Sequence, residues 1–313
     1  MRVYDAAQTE AALPFDRLIA ALRQRFAQGC VVPPRHAHTI VRADGPPLTS
    51  LIMPAWVPGG SYGVKVVNVA PGNAALGLPG LHATYLLHDA TTGVPVALLD
   101  GDVITARRTA AASALAASWL ARADATHLLV VGAGRVARLL PAAYRCVRPI
   151  ERVSVWARRP EAAAALAAAL RRDGFAAEAA DGLAAAAGAA DIISCATLCS
   201  EPVVQGAWLR PGSHLDLIGS FTPAMREADD ACFVGASLYV DTEEALAKSG
   251  DLLGPMARGV FAAADVRGTL AALAGGSATG RRSAAERTVF KSVGTALEDL
   301  AAAMLVMALS AGG

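Results

Sequence analysis

The chain has 313 residues, 54% of them hydrophobic, with 28 basic and 27 acidic side chains and a formal net charge of +1. That length exceeds what one core usually holds, so two domains are expected. Interleaved, balanced charge lacks the basic face that nucleic acid requires, and no apolar run is long enough for a membrane helix, so neither is an expected partner and a small-molecule ligand is.

"PFDRLIAALRQRFAQG" sets Leu18, Ile19, Leu22 and Phe26 on one helical face and ends at Gly29, which predicts an amphipathic helix with a glycine terminator. The runs "HAHTIVR", "LTSLIM", "YGVKVVNV", "ATYLLHD" and "VPVALLD" follow, separated by Asp-Gly, Pro-Gly and Thr-Gly pairs. They predict a mostly antiparallel sheet. An alanine-rich helix is expected from near Val103 to about Ala121.

From "THLLVVGAG" the pattern becomes strand, helix, strand through "RVSVWA", "ADIISCA", "SHLDLIG" and "ASLYVD". Short apolar runs without alternation, interleaved with helical segments, are the pattern of a parallel sheet covered on both faces. The chain closes with a short strand at "TVFK" and a helix apolar on nearly every side.

Cys30, Cys146, Cys195, Cys199 and Cys232 are an odd, scattered set, which suits a reducing compartment, and no disulfide framework is expected. Cys195 and Cys199 have no second pair and no nearby histidine, so no metal site is expected either. The N-terminus lacks the apolar core of a secretion signal, and a cytoplasmic protein is the expectation.

"VGAGRVA" places Gly132, Gly134 and Ala137 in a G-x-G-x-x-A pattern after a strand and at the opening of a helix that begins with Arg135 and Val136. The first glycine permits the tight turn, the second lets a pyrophosphate reach the backbone, and the alanine lets helix pack on strand. A dinucleotide is the expected cofactor. Where NAD-preferring folds end their second strand with an acid, this chain has Ala157, Arg158 and Arg159. Two guanidinium groups favour a 2′-phosphate, so NADP(H) is expected ahead of NAD(H), although the same arginines would also suit a solvated helix start.

Two further cations draw notice. Lys65 sits among valines in "YGVKVVNV", where alternation alone allows the solvent face or the buried one. Arg107 and Arg108, in "TARRTAAASALA", stand near the start of an apolar helix; cations there oppose the macrodipole, which suggests a bound anion.

Taken together, "PPR", "MPA", "GVKVVNVAPGN", "TGVPVALLDGD", "TARRTAAASALA", "VGAGRVA" and "FKSVGTALEDLA" occur in an order that resembles the ornithine cyclodeaminase and mu-crystallin family, from about Pro33 to Ala303. The resemblance implies an α/β homodimer: a Rossmann NAD(P)-binding domain with a doubly wound parallel sheet, here 119–287, and an α+β substrate-binding and dimerisation domain from 1–118 and 288–313. It further implies that Lys65, Arg108 and Arg35 bind a substrate carboxylate beside the nicotinamide, and that the region of Ser292 approaches the nicotinamide end. Thr197 and Ser220, at strand ends, are expected on the cofactor side.

Three positions depart from the cyclodeaminases that make proline from ornithine. Phe221 replaces an aspartate that assists water chemistry, Leu51 replaces an acid, and Gly80 replaces a threonine. A drier pocket with Phe221 against the substrate suits the family's other activity, reduction of a cyclic ketimine carboxylate such as Δ1-pyrroline-2-carboxylate or Δ1-piperideine-2-carboxylate. The substrate arrives as an iminium, or takes its proton from His82 or Lys65; His82 also reads as a turn residue without a role. Ornithine cyclodeamination, amino-acid dehydrogenation of the alanine dehydrogenase kind and non-catalytic ligand binding are the alternatives.

Overall fold

Alternating apolar residues between Leu48 and Asp100 build four long strands, and around them a six-stranded sheet forms. The computed structural model describes residues 1–311; Gly312 and Gly313, the end of the expected 288–313 segment, lie outside the described residues. In chain order come β1 (Arg2–Tyr4), α1 (Ala6–Ala11), α2 (Phe15–Gln28), β2 (His36–Ile40), β3 (Leu48–Trp56), β4 (Ser61–Val69), β5 (Leu81–Asp89) and β6 (Pro95–Asp100). The sheet order is β1-β6-β5-β4-β3-β2. Neighbours from β2 to β6 pair antiparallel, and β1 adds itself parallel to β6.

α2 buries Phe15, Leu18, Ile19, Leu22 and Phe26 and stops at Gly29, whose φ of 73° is the left-handed conformation that glycine adopts without penalty. Strand register decides which side of the sheet each residue takes. Met53, Lys65, Tyr85 and Leu99 stand opposite one another across four strands and are all buried. Gly63, also on this face, makes room for the Tyr85 ring: a Cβ there would lie 2.0 Å from the tyrosine oxygen.

Helix α3 (Gly101–Leu120) begins earlier than the expected Val103, because Asp100 accepts the Val103 N–H at 2.8 Å and caps its first turn. Arg107 and Arg108 therefore lie in the second turn, beyond the unsatisfied N–H groups. The expectation of an anion held between them and the helix terminus is corrected accordingly.

After α3 the strands are β7 (His127–Val131), β8 (Arg152–Trp156), β9 (Ala176–Ala179), β10 (Ile192–Cys195), β11 (His214–Leu217), β12 (Ser237–Val240), β13 (Val266–Thr269) and β14 (Thr288–Lys291). Between them run α4 (Arg135–Arg145), α5 (Pro160–Arg172), α6 (Leu183–Ala189), α7 (Ala245–Lys248), α8 (Gly250–Ala257) and α9 (Leu270–Ala274). All eight strands pair parallel, in the order β13-β12-β14-β11-β10-β7-β8-β9. The order reverses between β7 and β10, the switch point at which doubly wound sheets bind ligands beyond the strand carboxyl ends. Leu129, Val131, Ile193, Leu215, Leu217 and Val289 form part of the core on this sheet.

The last element, α10 (Ala296–Ala311), packs on α2, β3 and β4. The chain thus divides into two units, Met1–Arg108 with the segment from Thr295, and Thr109–Gly294. The first is α+β; the second is the Rossmann-type parallel sheet.

Candidate active site

In the first unit β4 presents Lys65 on the buried face, where α10 supplies its partners. Lys65 Nζ lies 2.8 Å from Asp299 Oδ1 and 2.7 Å from Oδ2. Arg108 Nε donates to Asp299 Oδ1 at 2.9 Å, and its Nη1 pairs with Glu298 Oε2. Lys65 is 1% exposed and Arg108 5%, so both cations are nearly withdrawn from water. Burial lowers the Lys65 pKa to about 8, with Asp299 opposing the fall and Arg108 adding to it. Burial would raise Asp299, yet the two cations hold its carboxyl below the ordinary range.

The other first-unit candidates are placed differently. Arg35 is half-buried directly before β2, whose first residue pairs with Ile52, the neighbour of Met53 in the Lys65 row. His82 lies on β5 and not in a turn; it is exposed, pairs with Asn68, and by alternation occupies the face opposite Tyr85 and Lys65. Arg107 turns aside, donating to Leu13 O at 2.8 Å and to Glu10 at 3.0 Å while lying over the Phe15 ring. Leu51 is half-buried and Gly80 exposed.

In the second unit the turn after β7 meets the turn after β10 at the switch point. Gly132 has φ 117°, and a Cβ on it would sit 2.6 Å from Ala196 O. Its N–H donates to Trp156 O at 2.8 Å, which ties the turn to the end of β8. A Cβ at Gly134 would meet nothing within 4 Å, so this residue faces open space at the start of α4. Among the described residues no side-chain cap bonds that helix terminus, whose leading residues are Arg135, exposed, and Val136, half-buried. Ala137 is fully buried. An uncapped helix N-terminus behind an open glycine is a fit for a dinucleotide pyrophosphate. Ala157 is half-buried and Arg158 and Arg159 are exposed just past β8.

Thr197, after β10, is half-buried and gives both its N–H and its hydroxyl to Glu227 Oε1 at 2.8 Å. Ser220 is fully buried; its hydroxyl donates to Met225 O and neighbours Ser249 Oγ at 3.1 Å, so the side chain points inward and only its backbone remains toward the turn. Phe221 next to it is 39% exposed. Ser292 is buried, its N–H on Leu217 O at 3.1 Å.

Sequence reasoning missed the acids. Glu298 and Asp299 stand in "ALED", and the only signal was a pair of carboxylates inside an apolar helix, which is costly unless cations meet them. Asp216 in "HLDLI" carried the same kind of signal, whereas Glu227, among the charged residues of "MREADD", carried none. Asp216 accepts Tyr144 Oη at 2.8 Å and Ser113 Oγ at 3.2 Å, with Ser194 also bonded, and burial lifts its pKa to about 6.

A family model described as the ornithine cyclodeaminase/mu-crystallin family matches residues 6–311. The chain belongs to this family. Δ1-pyrroline-2-carboxylate reductase of Paracoccus denitrificans is 46% identical over 289 residues, covering 89% of this chain and 91% of that protein. Among solved structures, Thermococcus litoralis Δ1-pyrroline-2-carboxylate reductase in complex with NADH and L-proline has a TM-score of 0.93 at 33% identity, covering 100% of this chain and 98% of that one. An archaeal alanine dehydrogenase dimer with bound NAD gives 0.90 at 28% identity, covering 100% and 97%.

Proposed function

We propose that this family member is an NAD(P)H-dependent reductase of a cyclic ketimine carboxylate, Δ1-pyrroline-2-carboxylate or Δ1-piperideine-2-carboxylate, and that its product is the cyclic amino acid. The observation that carries the reading is the buried pair Lys65 and Arg108 bridged by Asp299. Reductases of this substrate at 46% and 33% identity support it.

Lys65 and Arg108 face Asp299 and Glu298, two cations against two acidic side chains. A substrate carboxylate entering so dry a site calls for a further positive charge, and Arg35 is the residue to supply it. Held this way, the imine carbon has a fixed position and orientation. A nicotinamide nucleotide, when bound, would supply a hydride to that carbon. The C=N π electrons then move to nitrogen, which keeps the proton of an iminium or takes one from Lys65. With a pKa of about 8, Lys65 is charged near neutrality and can release its proton more readily than an ordinary lysine. His82, on the opposite face of the sheet, is not assigned this role. Phe221 replaces the cyclodeaminase aspartate with an apolar surface, which favours reduction over hydrolysis.

Gly132, Gly134, Arg135 and Val136 would hold the pyrophosphate, Ala157 the edge of the adenosine site, and Thr197, Ser220 and Ser292 the nicotinamide end. Arg158 and Arg159, exposed with no acid at 157–159, support NADP(H) over NAD(H). A homodimer is supported by the alanine dehydrogenase dimer of similar fold. None of the five cysteines is in a disulfide, which supports a cytoplasmic location.

The test is a spectrophotometric screen of NADPH and NADH oxidation with five- and six-membered cyclic imines and with pyruvate plus ammonia, alongside an ornithine and NAD incubation assayed for proline and ammonia. Imine-dependent oxidation is expected to dominate. Faster turnover of ornithine, or of pyruvate with ammonia, would overturn the assignment.

A further inference from the structure

Glu227 is fully buried, and its carboxylate receives donors from the ends of two neighbouring strands. Oε1 accepts the Thr197 N–H and hydroxyl, both at 2.8 Å, and Oε2 accepts the Gly219 N–H at 2.6 Å. Thr197 follows β10 and Gly219 follows β11. The two turns touch so closely that a Cβ on Gly219 would lie 1.6 Å from Thr197 O.

The surroundings hold the glutamate in place. Asp251 Oδ1 accepts the N–H groups of Glu227 at 2.7 Å and Ala228 at 3.1 Å. Lys291, at the end of β14, lies 3.2 Å from Asp251 Oδ2 and 3.9 Å from Glu227 Oε2. Both of these groups are also fully buried. A buried charge is costly unless it is bonded, and the three donors together with Lys291 meet that requirement.

We propose that Glu227 is a positioning residue for the nicotinamide nucleotide: its ionised carboxylate staples the turn after β10 to the turn after β11 and fixes Thr197 and the Gly219–Phe221 segment at the edge of the nucleotide site. The inference rests on the nucleotide reading above and adds to it a residue and a pH dependence. All three donors require acceptor oxygens, and a proton on Glu227 turns one of these from a charge-assisted acceptor into a hydroxyl, which weakens the staple. Burial, reinforced by Asp251 and opposed by Lys291, raises the Glu227 pKa to about 7. The neighbouring Cys195 and Cys199 thiols are pushed up by burial and stay protonated at neutrality. Acidification through neutrality therefore loosens the staple.

The experiment is a fluorescence titration with NADH, whose phosphates stay ionised, of the full-length wild type and Glu227→Gln on both sides of neutrality, with KM measured for NADH and for the imine. Wild-type affinity should fall as the pH drops below neutrality. Glu227→Gln should bind more weakly at alkaline pH, on the order of tenfold, show no such pH step, and raise KM for NADH more than KM for the imine. Equal affinity and equal pH curves in the two proteins would overturn the proposal while leaving the reductase reading intact. If the variant does not fold, a wild-type affinity that is flat through neutrality overturns it. A wild type that binds no nicotinamide nucleotide at any pH would overturn both.

Discussion

Lys65 and Asp299 form a buried ion pair in which Nζ lies within 2.8 Å of one carboxylate oxygen and 2.7 Å of the other, on residues 234 positions apart. The pair fixes the lysine where Arg108 shares the same carboxylate. Removing either cation leaves acids buried without their partner, so Lys65→Ala and Arg108→Ala should each lose about 3 kcal/mol of transition-state stabilisation, a loss of more than a hundredfold in kcat/KM for the imine. Steady-state kinetics of each variant, with circular dichroism to establish folding, checks this. Near-unchanged kcat/KM in one of them would remove that residue from the site.

Asp299 raises the Lys65 pKa against the effect of burial. If Lys65 supplies the proton, reduction should slow as the pH rises through about 8, because the neutral amine has none to give. Lys65→Arg should retain a cation but lose this alkaline limb. Asp299→Asn should move the limb to lower pH. A pH–rate profile unchanged in both variants would contradict the proton-donor role.

The family resemblance of the segment "GSFTP" implies that Phe221 takes the place of an aspartate of ornithine-converting members, and the proposed reductase pocket uses it as an apolar wall. Phe221→Asp should lower imine reduction and produce measurable ammonia from ornithine and NAD. Ammonia release at the background of the parent protein would remove the explanation given for this position.

Arg158 and Arg159 lie exposed beyond β8. Replacing both with alanine should reduce the preference for NADPH over NADH, measured as a ratio of kcat/KM values, by about tenfold or more. An unchanged ratio would make them a solvated helix start and nothing more.

His214 is fully buried; its Nδ1 meets Thr288 Oγ1 at 2.9 Å, and burial with nearby Arg281 and Arg148 depresses its pKa from 6.5 to about 3. The unfolded chain takes up a proton here that the folded chain refuses, so His214 costs stability as the pH falls from 6.5 toward 3. Asp216 and Glu227 act in the opposite sense, since their raised pKa values let the folded chain take protons first. In urea denaturation, His214→Asn should therefore lose less stability on acidification than the parent. Identical slopes would contradict the assignment.

How much of this was legible from the chain differs element by element. The glycine turn at Gly132 was, because its φ of 117° and its contact with Ala196 admit no side chain. The antiparallel strands and the α2 stripe were legible from their periods. The start of α3 was not, because Asp100 reads equally as the end of a strand and as a cap. The division of the two units inside α3, at Arg108/Thr109, has no mark in an alanine-rich helix, where the sequence expectation was 118/119. β9, with the sequence "AAEA", has no apolar run to announce it. Alternation could not choose the face for Lys65, since that choice is made by Asp299, far along the chain. Ser220 was placed by its strand-end position, but its hydroxyl is committed to Met225 and Ser249, a partnership that local sequence does not encode.

In the proposed reaction a nicotinamide nucleotide delivers its hydride directly to the carbon of a C=N bond whose carboxylate is held by Arg35 together with Lys65 and Arg108. The most direct test of this transfer is to supply Δ1-pyrroline-2-carboxylate with NADPH deuterated at C4 of the nicotinamide, each face in a separate reaction, and to analyse the proline by mass spectrometry. One deuterium at Cα from one of the two labelled faces is expected. Proline formed with no deuterium from either face, or no proline at all while NADPH is consumed, would contradict it.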